Sequence, residues 1–231
     1  MSFPLINAAP LGEMTLIGFF KDMAASMSGD EELVLNHLMR GLSERGWLPS
    51  SKDLIEGLEA RGEASEKMRV AFASLQKRRL ITLEDGGQRI AHLLATITAE
   101  RTAHRGHLEG GVNVFTLGGF ELFCLSGLFL KDVECTTACG QCNSAITFRV
   151  EAGHVVAISP HGAAAFQASW DGESALKQLC ERSPLFCSNA CLNAWTDERG
   201  DLDALPLSSD ILLNVGVMFA QESAEVRFSM F

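Results

Sequence analysis

The sequence lacks three features that would each point to a particular class of protein. Its longest apolar runs, such as ILLNVGVMF, are far shorter than the ~20 residues that a membrane-spanning helix needs. Its N-terminus has no basic residue ahead of the apolar part, so it does not resemble a secretory signal. It also lacks a basic surplus, since its formal net charge is −10. We therefore expect a cytoplasmic protein that makes no membrane contact and has little general attraction to nucleic acid.

Cysteine is absent from the first 123 residues and concentrated in the rest. All seven cysteines lie between Cys124 and Cys191. Because disulfides are rare in the cytoplasm, clustered cysteines there more often bind a metal or react as thiols. The odd number of cysteines also argues against a framework in which every thiol is paired. The sequence therefore favours a metal site or thiol chemistry over disulfides.

The cysteine-free half has helical periodicity. Three segments predict helices: DEELVLNHLMRGLSERG, which Gly46 would end, SSKDLIEGLEARG, which Ser50 or Ser51 would cap, and EASEKMRVAFASLQKRR. LITLEDGGQRIAHL then predicts a β-hairpin with its turn at residues 85–87. Three helices followed by a hairpin are the arrangement of a winged helix. We therefore predict a winged-helix-like domain over residues 1–108.

The winged-helix pattern leaves two roles open for this domain. The third helix and its end carry a local basic bias that would suit DNA, formed by Lys67, Arg69, Lys77, Arg78 and Arg79. These residues are equally consistent with a solvated outer face, and a fold alone does not establish a function. The acidic total charge counts against nucleic acid as a partner, and contact through this domain stays the alternative.

The second half of the chain mixes strand and helix patterns. VNVFTLGG predicts a strand and a turn, FELFCLSGLFL a buried helix, and SAITFRVEAGHVVAISP two strands. SALKQLC and ILLNVGVMFAQE predict a short helix and an apolar C-terminal helix. The polar segment HRGHLEGG marks a boundary between the halves. The chain is therefore predicted to be an α+β protein with a second domain over residues 109–231.

Two cysteine pairs have the spacing of metal-binding turns. Two residues separate Cys139 from Cys142, and three separate Cys187 from Cys191. Four thiolates can complete a tetrahedral zinc site, since zinc accepts sulfur ligands readily. CGQC would also suit a redox dithiol, but it lacks the strand-to-helix setting of a thioredoxin site. We predict that the four cysteines share one soft divalent metal ion, with zinc first in order, and buried unreactive thiols are the alternative.

The other three cysteines lie outside these pairs. Cys124 stands alone in the apolar FELFCLSGLFL, a setting that by itself favours packing in the core. Cys180, at the end of SALKQLC, is interpreted as a core residue as well. The spacing assigns no role to Cys135.

The order of these features resembles that of the organomercurial (alkylmercury) lyase family, which has a helical winged-helix-like part before an α+β core with two reactive cysteines. FTLGGFELFCLSGLFL resembles the segment of the first reactive cysteine, ECTTACGQCNSAITFRV a cysteine before a strand, and SPLFCSNAC the segment of the second. The family's later tryptophan, acidic linker and apolar final helix have counterparts in AWTDERGDLDALPLSSDILLNVGVMFA. The resemblance covers residues 30–221. It implies Cys124 and Cys187 as the catalytic pair and Cys139 as the cysteine before the strand.

The resemblance also implies a reaction, the protonolysis of a carbon–mercury bond without a cofactor. Two thiolates on one mercury weaken its bond to carbon, and a nearby acid protonates the departing carbon. In the family this acid is an aspartate three residues after the first cysteine, and here that position is Gly127. Moreover, Cys187 cannot attack mercury while it is locked in a closed four-cysteine zinc site, because such sites are structural.

Two hypotheses therefore stay open. The first is a lyase that acts on an organomercurial or another soft-metal substrate. The second is a non-catalytic zinc protein on the same scaffold, which would serve as a metal-responsive regulator if the N-terminal domain contacts DNA.

Overall fold

The structure is a computed structural model, and it describes residues 26–94, 96–152, 154–168, 180, 182–199 and 204–207. In chain order its elements are α1 (Gly29–Arg45), α2 (Ser51–Glu59), α3 (Ser65–Lys77), β1 (Ile81–Glu84), a 3₁₀ turn (Asp85–Gly87), β2 (Arg89–Leu93), β3 (Ile97–Thr98), β4 (Arg105–Leu108), β5 (Val112–Thr116), a 3₁₀ helix (Phe120–Cys124), α4 (Leu125–Phe129), β6 (Val133–Ala138), β7 (Ala145–Glu151), β8 (His154–Ser159), β9 (Ala164–Ala168), β10 (Leu185–Phe186), α5 (Asn189–Arg199) and β11 (Ala204–Leu207). Apart from Cys180, the predicted helices in SALKQLC and ILLNVGVMFAQE lie outside the described residues. Within the described ranges, no helix combines the length and the apolar character that crossing a membrane requires.

The three helices and the hairpin predicted for the N-terminal half are present. Ser28 caps the start of α1, and Gly46 ends it with a φ of 75°, a left-handed conformation that favours glycine. Ser50, one of the two predicted caps of α2, accepts a hydrogen bond from the Asp53 amide at 3.1 Å. β1 and β2 pair antiparallel across the Asp85–Gly87 turn. The assignment of these elements to the winged-helix class stays a prediction.

One of the basic residues at the end of the third helix has a partner within the protein. The Arg78 guanidinium lies 3.3 Å from the carboxylate of Glu31, whose side chain is nearly buried in α1. The Ser74 hydroxyl donates a hydrogen bond to the same carboxylate at 2.8 Å. Arg78 therefore holds α1 against the end of α3, and contact of this domain with nucleic acid stays an untested alternative.

The hairpin belongs to a sheet that continues into the second half. Eight strands form this sheet in the order β1-β2-β3-β5-β4-β6-β7-β8, and all neighbouring pairs are antiparallel. A smaller sheet has the order β10-β9-β11. β4 pairs with β5 across the turn that follows Leu108, so the predicted domain boundary falls between two paired strands. The fold is mixed α+β, as predicted, and its division into two domains at that turn stays a prediction.

The segment FELFCLSGLFL forms two short helices in place of the single predicted one. The 3₁₀ helix Phe120–Cys124 leads directly into α4, which ends at the left-handed Leu130. Phe123 is fully buried and stacks on Phe148 of β7, with ring centroids 4.2 Å apart. This stacking fixes the helix that carries Cys124 against the large sheet.

Five described elements of the second half were not predicted, and they are β6, β9, β10, α5 and β11. Trp195 of α5 is buried, with its ring centroid 4.9 Å from that of Phe166 in β9 and 5.5 Å from that of Phe186 in β10. This packing stabilises a helix that runs to Arg199. The acidic segment that resembles the family's linker therefore begins within this helix, and its charged residues 197–199 lie on the last turn.

The stacking of Phe123 on Phe148 gives a test of how strongly this helix is held. Phe123→Ala is expected to lower the free energy of unfolding by about 3–5 kcal/mol, because it removes a buried ring and leaves a cavity. The measurement is urea denaturation followed by circular dichroism. Val70→Ala, at an exposed position on α3, is the control and should change stability by less than about 0.5 kcal/mol. Equal stability of the two variants would contradict this packing.

Candidate metal and thiol sites

The CGQC segment forms a tight turn between β6 and β7. The Cys139 amide donates a hydrogen bond to the Ser144 carbonyl oxygen at 2.8 Å, and the Asn143 amide donates one to the Cys139 carbonyl oxygen at 2.9 Å. Asn143 has a φ of 59°, which an asparagine tolerates better than most residues. The setting is strand–turn–strand, so it differs from the strand-to-helix setting of a redox dithiol.

Gly140 brings the second cysteine pair next to this turn. Its amide donates a hydrogen bond to the carbonyl oxygen of Leu185 in β10 at 2.8 Å. A Cβ atom at position 140 would lie 2.6 Å from the Cβ of Pro184, so any side chain other than glycine would collide there. Because Leu185 lies two residues before Cys187, this contact places Cys187 beside the CGQC turn.

The start of α5 positions Cys187 and Cys191. The Ser188 hydroxyl accepts a hydrogen bond from the Cys191 amide at 3.2 Å, as a helix-capping serine does. The Gln141 side-chain amide donates a hydrogen bond to the Glu198 carboxylate at 2.9 Å. This hydrogen bond therefore connects α5 with Gln141, which lies between Cys139 and Cys142 in the CGQC turn.

The four sulfur atoms of the two pairs converge. The Cys187 Sγ lies 3.5 Å from the Sγ of Cys142 and 3.5 Å from that of Cys191, and the last two are 3.7 Å apart. With the buried Cys139, all four sulfurs lie within 4.8 Å of one another. A tetrahedral site with zinc–sulfur bonds near 2.3 Å would separate its sulfurs by about 3.8 Å. This four-cysteine cluster has the dimensions of a zinc site, and metal binding by it stays a prediction.

The thiols of the four-cysteine cluster differ in acidity. Hydrogen bonds of Cys142 with Ser144, whose hydroxyl oxygen lies 3.2 Å from the Cys142 Sγ, and with Cys139 and Cys187 lower the pKa of Cys142 to about 6. Burial and then contact with the neighbouring thiols raise the pKa of Cys187 to about 12. Without metal, a thiolate at Cys142 therefore lies beside the protonated thiol of Cys187. A divalent cation would displace the remaining protons as it binds.

Cys124 lies outside the four-cysteine cluster. It ends the 3₁₀ helix and is buried in the core. Among the described residues, the group of cysteines whose sulfur atoms are close enough to share a metal ion does not include Cys124. Burial, and then the charge of Glu121, raises the pKa of Cys124. The structure thus brings Cys187 together with the other three cluster cysteines, and the pairing of Cys124 with Cys187 stays a prediction.

Glu121 lies beside Cys124 and was not predicted as a site residue. It is only 2% exposed, and among the described residues neither carboxyl oxygen has a hydrogen-bond donor at normal distance and angle. The Cys180 thiol and the backbone at Gly118 approach this carboxyl group without reaching that geometry. A Cβ at Gly118 would lie 2.6 Å from the Glu121 Oε2 and 2.8 Å from the Cys180 carbonyl oxygen. Burial raises the pKa of the Glu121 carboxyl group.

Cys180, interpreted above as a core residue, is buried next to the same carboxyl group. Burial, and then the charge of Glu121 and the contact with it, raise the pKa of Cys180, and a thiolate at Cys124 raises it further. The three residues form a second group, which we call the buried thiol–carboxyl cluster. Its signal in the sequence was Glu121, the one charged residue in FELFCLSGLFL. Cys180 gave no signal, because SALKQLC has the pattern of an ordinary helix end.

Comparison with known proteins gives the family and the fold of this chain. A sequence model of the alkylmercury lyase (MerB) family matches residues 97–221, which include all seven cysteines. The chain belongs to the alkylmercury lyase family. Its fold resembles the crystal structure of the mercury-bound form of MerB2, with a TM-score of 0.71 and 19% identity over 90% of this chain and 98% of that one. A search of curated proteins finds no match to the sequence.

The acidity of Cys142 predicts how the metal-free protein reacts with an alkylating agent. Because the thiolate is the nucleophile, Cys142 is expected to react first with iodoacetamide, at a rate that is half-maximal near pH 6. Peptide mass mapping over a pH series would measure this rate. Cys135 is buried with a raised pKa and serves as the internal control that stays unmodified. A Cys142 rate that continues to rise above about pH 8 would contradict the predicted acidity.

Proposed function

We propose that the chain is an organomercurial lyase-like protein with two separate sulfur sites, a reactive one at Cys124 and a structural zinc site in the four-cysteine cluster. The observation that carries the proposal is that Cys124 lies outside the four-cysteine cluster. A second thiol other than Cys187 would then remove the conflict in the sequence, where Cys187 had to serve both sites. Membership of the alkylmercury lyase family supports the substrate class.

The surroundings of Cys124 suit the capture of an organomercurial. An organomercury cation carries a soft metal and an apolar group, and Cys124 offers a sulfur among buried apolar side chains. A second thiol must then reach the same mercury. Cys180 shares the Glu121 carboxyl group with Cys124, whereas Cys187 already has two sulfurs within 3.5 Å. These contacts favour Cys180 over Cys187 as the second thiol.

The four-cysteine cluster fits zinc by its donor atoms and by its sulfur–sulfur distances of 3.5–3.7 Å. Cys139, Cys142, Cys187 and Cys191 would hold the ion, and a site with four thiolates leaves no open position for chemistry. Zinc there would bind the CGQC turn to the start of α5. Its role would be to stabilise the second half of the chain around the reactive thiol.

A second candidate function is a non-catalytic zinc protein on the same fold. The observation that favours it is Gly127, which lies in α4 where the family resemblance implies the acid that protonates carbon. The two candidates differ in one measurable property, the release of a hydrocarbon from an organomercurial.

The lyase proposal predicts that purified protein releases benzene from phenylmercury in the presence of excess thiol. Cys124→Ser is expected to reduce the release to the background of thiol alone, because it removes the thiol that captures mercury. Gas chromatography of the headspace measures benzene. Cys135→Ser is the matched control, since this buried cysteine lies in β6 outside both clusters, and it should release benzene at the wild-type rate. Release by Cys124→Ser at the wild-type rate would contradict the role of Cys124, and no release by folded wild-type protein would leave the zinc protein as the function.

The zinc proposal predicts about one zinc ion per chain in protein purified without chelator, as for a closed four-thiolate site. Cys142→Ser and Cys191→Ser should each lose the ion, because three thiolates hold zinc less well than four. Elemental analysis of the purified variants provides the measurement. Cys180→Ser is the control and should retain zinc. Full zinc content in both cluster variants would show that residues outside the four-cysteine cluster hold the ion, and absence of zinc from the wild type would contradict the zinc site.

A further inference from the structure

Glu121 is a buried carboxyl group without an ion-pair partner among the described residues. A carboxyl group in an apolar core is costly unless a cation or hydrogen-bond donors compensate for lost water. Among the described residues no ion pair includes Glu121, and neither of its oxygens has a hydrogen-bond donor at normal distance and angle. Burial raises the pKa of this carboxyl group, which favours its neutral, protonated form. It is therefore a proton donor enclosed in the protein.

The helix type places this donor beside Cys124. Glu121 and Cys124 are three residues apart in the 3₁₀ helix Phe120–Cys124. A 3₁₀ helix has three residues per turn, so side chains three residues apart lie one above the other on the same side. The Cys180 thiol approaches the Glu121 carboxyl group from another segment of the chain. Two thiols and one carboxylic acid thus face one another in the core.

We propose that Glu121 is the catalytic acid of this protein, which protonates the carbon that leaves mercury. The family resemblance implies an acid at position 127, three residues after Cys124. Glu121 would take the place of that acid from a position three residues before Cys124. The proposal rests on the proposed lyase function. Glu121 would supply the acid that is missing at Gly127, the observation that favoured a non-catalytic protein.

The step balances without an oxidant or a reductant. Cys124 first exchanges its thiol proton for the organomercury group, which arrives as the adduct of a small thiol. The Cys180 sulfur then binds mercury and gives its proton to Glu121, while the Glu121 proton passes to carbon as the carbon–mercury bond breaks. The electron pair of that bond goes to carbon, and mercury stays divalent between the two sulfurs. Two small thiols then remove the mercury and restore both cysteine protons, and Glu121 ends in its neutral form.

The test separates binding of phenylmercury from release of benzene. Glu121→Gln keeps the size of the side chain and removes the acid. It should bind one phenylmercury per chain, as we expect for the wild type. It should release benzene at least about 100-fold more slowly than the wild type, which is the effect expected for loss of a general acid. Adding Gly127→Asp to this variant should restore part of the release, because it returns a carboxyl group to the other side of Cys124. The double variant controls for a merely structural effect of Glu121→Gln.

The outcomes distinguish this proposal from the one on which it rests. Wild-type protein that releases no benzene would overturn both. Wild-type release that Glu121→Gln matches would overturn the role of Glu121 alone. Circular dichroism shows whether each variant is folded, and Glu121→Asp is the second variant should Glu121→Gln not fold. Its carboxyl group is displaced by one bond, so release should fall by up to about 100-fold while phenylmercury still binds. Release at the wild-type rate by a folded single variant that lacks a carboxyl group at position 121, or by folded Glu121→Asp, would overturn the proposal.

Discussion

The hydrogen bond from the Gly140 amide to the Leu185 carbonyl oxygen is the contact that brings the two cysteine pairs of the four-cysteine cluster together. It holds the CGQC turn against β10, and the absence of a side chain at position 140 allows this close approach. The Leu185 side chain also lies 3.2 Å from where a Cβ of Gly119 would stand, directly before the 3₁₀ helix that carries Cys124. One short strand therefore connects the four-cysteine cluster with the buried thiol–carboxyl cluster.

The two clusters place sulfur in opposite environments. Hydrogen bonds lower the pKa of the exposed Cys142 to about 6, so a hydrated cation meets a thiolate at the surface. Burial raises the pKa values of Cys124 and Cys180, so these thiols keep their protons until a soft metal displaces them. The first environment suits a resident ion, and the second suits an apolar substrate that exchanges onto sulfur and then receives a proton.

Local patterns in the sequence predicted the parts of the structure that local interactions determine. The caps of α1 and α2, the hairpin turn and the two cysteine pairs each depend on residues a few positions apart. The buried thiol–carboxyl cluster depends on packing between Glu121 and Cys180, which are distant in sequence, so periodicity did not reveal it. The apolar run FELFCLSGLFL predicted burial correctly, but not the change from a 3₁₀ helix to α4 that aligns Glu121 with Cys124.

We propose that one chain holds two sulfur sites that do not exchange their metals. Native mass spectrometry of zinc-loaded protein after addition of one equivalent of phenylmercury tests it most directly. Two separate sites predict a single species that carries both zinc and the organomercury group, or mercury once the hydrocarbon has left. Loss of one zinc for each mercury bound would contradict the account, because it would show that mercury enters through Cys187 and the other cysteines of the four-cysteine cluster.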